Sequence, residues 1–264
     1  MKIESFILAY GFIIFAVLIS YYNNLKLEKE LTFNSIRATL QLFVMGFILQ
    51  FILDIRRLEL LTLILISMCI VASAVSAKVG GRIPKAFWAS FAGISIGSGL
   101  TIGVLCYVGT IPADARYLVP LGGMIVGNAM QAVILSLNQL IRELETRRLQ
   151  IETLLALGAS ARQAIDEPLK QSIRAGLLPT IATLKTVGLV HLPGVMTGFI
   201  IAGGSPVLAI KYQLTVLYMI VGATGISCFT TVLLAYRKCF NQDLQLLRSF
   251  GSQLVKNSKR VKVA

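Results

Sequence analysis

Lys185 lies inside an apolar run of the 264-residue chain, where a charge costs roughly 2.5–3.5 kcal/mol on insertion scales. No acid deep within any apolar run is available to pair with it. It must face carbonyl oxygens, a helix C-terminus, water or an anionic ligand, either as a structural residue or as one that meets a substrate. Asn128, Gln131 and Asn138 recur at spacings of three and seven, so one helical face carries three amides. Intramembrane amides either join helices or bind a solute; Gln41 and Gln50 belong to the same set of candidates for a substrate path. Met124, Met130 and Met196 offer soft thioethers, as core fillers or as ligands for a transition metal.

Enzyme chemistry finds little to use. The single histidine, His191, stands beside Pro193, and HExxH, GxSxG and paired carboxylates within an apolar run are missing. Without a GxxxxGK[ST] loop the chain does not hold ATP in that way, so no cofactor is expected on it and energy must come from elsewhere. Cys69, Cys106, Cys228 and Cys239 show no CxxC spacing and read as small apolar residues. A phosphate-processing enzyme in the membrane would need arginine and acid clusters at one membrane edge. A stand-alone ion-coupled transporter would need an acid deep within a span. Neither pattern is present.

A different chemistry, that of docking, is written between Arg142 and Pro168, a polar interruption between apolar runs. Inside it, Glu152 to Ser160 reads as a short helix. Leu154, Leu155 and Leu157 with Ala156 make an apolar patch, and Gly158 permits the helix to end at positive φ. Glu152 is expected on the first turn, where a carboxylate favours the dipole. Such a helix either lies on the membrane or seats its leucines in a partner's groove.

The elements that position these residues are membrane helices. Mean hydropathy is +0.77 and only 14% of residues are charged, against roughly 25% in soluble domains. The net charge of +13 does not point to nucleic acid, because the basic residues sit in short loops and in the tail. Membrane lipids, with anionic headgroups, are their expected neighbours. Seven spans of about 20 apolar residues are expected at Ser5–Tyr22, Ile36–Leu53, Leu58–Ala77, Phe87–Val108, Leu118–Leu140, Ile173–Val190 and Gln213–Tyr236. Basic residues follow the first, third, fifth and seventh, which sets the N-terminus outside and the C-terminus in the cytoplasm of a multi-pass inner- or plasma-membrane protein. Residues 1–240 thus form one transmembrane domain, and 241–264 form a basic cytoplasmic tail.

Residues 192–210 are apolar but broken by Pro193, Gly194, Gly198, Gly203, Gly204 and Pro206. A full crossing here would place the basic tail outside, so the segment is expected to be re-entrant and to wall a substrate path. Small residues four apart, Gly93 and Gly97, Gly99 and Gly103, Gly123 and Gly127, predict close helix approach, within one subunit or at a dimer seam.

Several stretches together resemble the FetB-type permeases of ABC transporters, a group named for bacterial iron export that includes plant aluminium-tolerance relatives. They are Arg37 to Leu42, Val119 to Asn128, Glu152 to Ser160 and Leu184 to Gly198, in the right order within a match from about Ile36 to Arg237. The resemblance implies a homodimer of this chain with two separate ATPase subunits, which hold ATP and Mg. It also implies that Glu152 to Ser160 is a cytoplasmic coupling helix, with Thr153 where alanine is usual. The implied cargo is iron or another metal, moved by alternating access along a path near Gln131, Lys185 and Met196. With no intramembrane acid, the metal is expected to travel as a chelate or anionic complex, Lys185 serving as counter-charge.

Overall fold

A computed structural model describes residues 3–52, 57–109, 112, 114–190, 192–241 and 245–247. His191, Asp54 to Arg56 and the Lys256 to Lys262 tail lie outside the described residues. The elements among the described residues are helical, joined by turns and one isolated bridge between Phe240 and Leu246. The chain divides into two compact units at Arg56 and Arg57.

The first unit is a helical hairpin of α1 (Ile3–Tyr22) and α2 (Glu28–Ile52). Its turn bends through positive φ at Asn24 and Lys26 and is pinned by Ser20, whose hydroxyl donates to Glu28 Oε1 at 2.9 Å and accepts from Leu27 N at 3.2 Å. Gln41 is exposed on α2.

The second unit contains α3 (Leu58–Val79), α4 (Ala86–Tyr107), α5 (Ala115–Thr146), α6 (Arg148–Ala156), α7 (Ala161–Ala164), α8 (Asp166–Thr186), α9 (Gly194–Ile201) and α10 (Pro206–Tyr236). The long α5 is central and touches α3, α4, α8 and α10, while α4 packs along α10. The turn 80–85, the 146–165 segment and residues 237–241 and 245–247 meet at one end. There Ile83, Leu144, Ile151, Ile165, Leu169, Cys239 and Leu246 form a continuous buried cluster. Arg82 also forms an ion pair with Glu145 at this end. The expected grouping of the basic loops after the third, fifth and seventh runs is therefore realised as one end of a bundle. Burial pushes the Cys239 thiol up to about 12, so it stays protonated and unreactive at neutral pH.

Among the described residues, five helices are long and apolar enough to cross a bilayer: α2, α3, α4, α5 and α10. The expected sixth crossing, Ile173–Val190, differs in register. Its helix starts at Asp166, with Glu167, Lys170 and Arg174 in its first half, and ends at Thr186. Asp166 and Glu167 favour the N-terminus of α8, and Lys185 its last turn, each by the dipole. The expected re-entrant segment is an eight-residue helix, α9, too short to cross at 1.5 Å per residue. It stops at Gly203 (φ +87), with Gly203 N bonded to Ile200 O and Gly204 N to Phe199 O, both at 3.0 Å. Pro206 then starts α10, so residues 206–210 belong to that long helix and not to a separate loop.

Helices in lipid gain little from apolar burial and depend on close approach. The sequence signal for this is realised in part. A Cβ added at Gly93 would stand 2.0 Å from Thr231 Oγ1, and one at Gly97 would stand 2.1 Å from Ser227 Oγ and 2.7 Å from Ala223 O. At Gly176 of α8 the distances are 2.0 Å to Ser136 Oγ, 2.6 Å to Ala132 O and 2.8 Å to Cys228 Sγ. In three places, then, a hydroxyl of one helix occupies the space a side chain would take on the next. The same three hydroxyls, of Ser136, Ser227 and Thr231, are buried without a conventional hydrogen-bond partner. Their neighbour is a glycine Cα–H, a weak donor that recurs at helix interfaces. Gly93 and Gly97 therefore serve packing inside one subunit. Gly99, Gly103, Gly123 and Gly127 have open space where a Cβ would go.

Candidate functional site

Beside the Gly176 contact a gap is left between α5, α8 and α10. Asn128, Gln131 and Ala132 of α5, Gly176, Pro179, Thr180 and Thr183 of α8, and Leu217 and Ile220 of α10 enclose a cavity of about 170 Å³. On α8 the lining residues are spaced at three, four and seven, one helical face. Of the sequence-derived path residues, Asn128 and Gln131 are brought together here. Asn138 continues the same face of α5 two turns nearer the basic end.

Lys185 does not join them. It follows Thr183 by two residues, roughly 200° around the helix, so it projects from the face of α8 opposite the cavity. It is exposed and lies in the last turn, not mid-span as expected. The helix C-terminus is the partner this position supplies, and Lys185 is not placed to be a counter-charge within this cavity. Met124 is half-buried one turn before Asn128, whose Nδ2 donates to the Met124 carbonyl at 2.8 Å. Met196 lies on α9 and does not line the cavity. Gln41 belongs to the other unit. Pro193 is the N-cap of α9 and Gly194 its first residue. A Cβ at Gly194 or Gly198 would meet nothing within 4 Å. It is Gly204 that is tightly covered, by the ring of Phe199, which in turn packs on Tyr212 at a centroid distance of 5.6 Å.

At the basic end, α6 is split lengthwise. Ile151 is 1% exposed, and Leu154 and Leu155 pack against the buried cluster. The other face carries Leu149 (79% exposed), Glu152, Thr153, Ala156 and Leu157 (80% exposed). Two of the three expected docking leucines thus hold the helix down, and only Leu157 presents itself. Leu149 takes their place, a residue that sequence reasoning missed although it precedes Thr153 and Leu157 at the four-residue period. Glu152 is in the second turn, not the first, where it accepts from Arg148 Nε at 2.8 Å. Its placement is governed by that pair more than by the helix dipole.

The stop of α6 is as expected. Gly158 has φ +91, Gly158 N bonds to Leu155 O and Ala159 N to Leu154 O, both at 3.0 Å. A capping box of Ser160 and Gln163 starts α7 immediately afterwards. The S-x-x-Q spacing of Ser160 to Gln163 was the available signal for it. Gly158→Val is expected to cost about 1–2 kcal/mol or more, because a β-branched residue is forced into the left-handed region. Limited proteolysis near residue 158 should quicken in that variant while cleavage elsewhere is unchanged.

The match that assigns these features to a lineage covers nearly the whole chain: the profile of the "Uncharacterised protein family (UPF0014)" fits residues 3–240. The chain belongs to the UPF0014 family. Within that family it is 40% identical to the "Probable iron export permease protein FetB" of Escherichia coli (strain K12), over 92% of this chain and 94% of that one. It is 36% identical to "Protein ALUMINUM SENSITIVE 3" of Arabidopsis thaliana, over 89% and 86%. It is 32% identical to the "UPF0014 membrane protein YjkA" of Bacillus subtilis (strain 168), over 89% and 94%. No solved structure matches the chain. The expected resemblance to FetB-type permeases is therefore correct, and this UPF0014 chain is a multi-pass membrane protein of a permease lineage.

Proposed function

We propose that this UPF0014 chain is the membrane-spanning subunit of an ATP-driven exporter for iron or another metal, working as a homodimer with two copies of a separate ABC ATPase. The single observation that carries the reading is the outward face of α6. Two leucines about four-fifths exposed and one acid stand on a helix whose other face is anchored in the core. An apolar helix face held rigidly at the basic end suits insertion into a groove of a soluble partner. ATP and Mg belong to that partner, since this chain has no phosphate loop. The cargo is taken from the name of the Escherichia coli relative.

The positive-inside bias sets the basic end in the cytoplasm of the inner or plasma membrane, with the N-terminus outside. Seven crossings are kept. Although α8 starts in a charged segment, it packs along both α5 and α10, and α1 pairs with the apolar α2. In alternating access, ATP would close the ATPase pair, α6 would carry that movement, and α5, α8 and α10 would rearrange around their shared cavity.

The test is purification of the chain from its native membrane in mild detergent. Recovery of an ATP-hydrolysing subunit in equal amount supports the reading, whereas a chain that is stable alone favours a stand-alone transporter. Glu152→Lys should release that subunit. The exposed pair with Arg148 holds only about 0.3–0.5 kcal/mol, so the variant chain should melt within a few degrees of the parent.

A further inference from the structure

The cavity between α5, α8 and α10 is lined with hydrogen-bond acceptors. Asn128 donates its Nδ2 to the Met124 carbonyl. A carbonyl only accepts, so that bond fixes the amide and leaves Oδ1 as the free end. Thr183 gives its hydroxyl proton to the Pro179 carbonyl at 3.1 Å and keeps its lone pairs. The Gln131 amide can turn either end to the cavity. No charged side chain lines it.

A wall of acceptors suits a ligand that presents donors. Water bound to a metal does this: its lone pair is on the ion, its hydrogens point outward, and the ion makes them more acidic. We propose that this cavity recognises a metal cation through its intact water shell, by hydrogen bonds from metal-bound water to Asn128, Thr183 and Gln131. The proposal rests on the reading that the chain moves a metal, and it names the form in which the metal is held.

Size agrees. A six-water complex has its water oxygens only ~2.1 Å from the metal, and the space open to water centres in the cavity, about 170 Å³, holds that shell with room to spare. Removing the shell would demand charged ligands in exchange. Among the described residues no three His, Cys, Asp or Glu side chains gather to supply them. An anionic chelate would set lone pairs against lone pairs here, and Lys185, on the opposite face of α8, is not placed to compensate it.

Hexaamminecobalt(III) tests this directly, because its ammines present only N–H donors and do not exchange for protein ligands. The full chain in nanodiscs of zwitterionic lipid would be dialysed against that complex and, anaerobically, against radiolabelled Fe(II). Both are expected to bind and to compete. Asn128→Leu and Gln131→Leu should each weaken both by about tenfold, and Lys185→Ala should change neither. Fe(II) binding that excess hexaamminecobalt(III) does not displace would overturn the water-shell proposal and leave the metal reading standing. Side-chain-dependent binding of the cobalt complex without Fe(II) would support the acceptor site and remove the metal cargo. Absence of both ends both ideas. Binding unaffected by either leucine variant, with both variants eluting as the parent does, would place the ions outside the cavity and overturn the proposal.

Discussion

Gly176→Ala should disrupt the second unit more than any other single-methyl addition on α8. The new Cβ would meet the Ser136 hydroxyl at 2.0 Å, the Ala132 carbonyl at 2.6 Å and the Cys228 sulfur at 2.8 Å, from two different helices. A hydroxyl can rotate away, but a helix carbonyl cannot move without its helix. Overpacking of this kind costs typically 1–3 kcal/mol, and contact on two sides sets the expectation at about 3 kcal/mol. The measurement is thermal unfolding of the detergent-solubilised chain. Gly127→Ala is the matched control, since a Cβ there meets nothing within 4 Å and replacing a helical glycine gains up to about 1 kcal/mol. Equal melting of the Gly176 variant and the parent would show that α8 is not held as closely as described.

The second large effect separates folding from docking on a single helix. Leu149→Asp together with Leu157→Asp should abolish recovery of the ATPase subunit. Each leucine buried in a groove contributes about 1.5–3 kcal/mol, so losing both weakens association by at least a hundredfold. The chain itself should melt as before, because both side chains are about four-fifths exposed. Ile151→Asp, on the opposite face and 1% exposed, should instead destabilise the buried cluster at the basic end. If the double variant still brings down the ATPase, the outward face of α6 is not the docking surface.

These two experiments address features that were legible in the sequence to different degrees. The helical class, the glycine stop at Gly158 and the gathering of basic loops at one end follow from local rules. A glycine after a leucine run, or an arginine after an apolar span, has one physical meaning almost wherever it occurs. The face assignments within α6 were not legible. Leu154, Leu155 and Leu157 look alike in sequence, and which of them turns inward depends on where Ile151 docks. Lys185 was misplaced for a related reason: hydropathy sees a continuous run from Ile173 to Val190, whereas the helix stops at Thr186. The pairing of Asn128 and Gln131 with Thr180 and Thr183 needed the antiparallel contact of α5 with α8, which no spacing within either segment specifies. Among the glycines spaced four apart, Gly93 and Gly97 are held against Thr231 and Ser227 while Gly99, Gly103, Gly123 and Gly127 meet nothing, and spacing alone does not distinguish Gly93 from Gly99.

That last distinction bears on how this lineage is free to drift. At each crossing point one helix contributes a glycine and the other a small hydroxyl, and the two sides do not tolerate change equally. Alanine in place of Ser136, Ser227 or Thr231 removes a weak contact and leaves room to spare. Anything in place of Gly93, Gly97 or Gly176 forces two backbones apart. Mutation can therefore wander on one side of each crossing while the other side is held fixed, so the transporter's shape is guarded by the residues with the least chemistry.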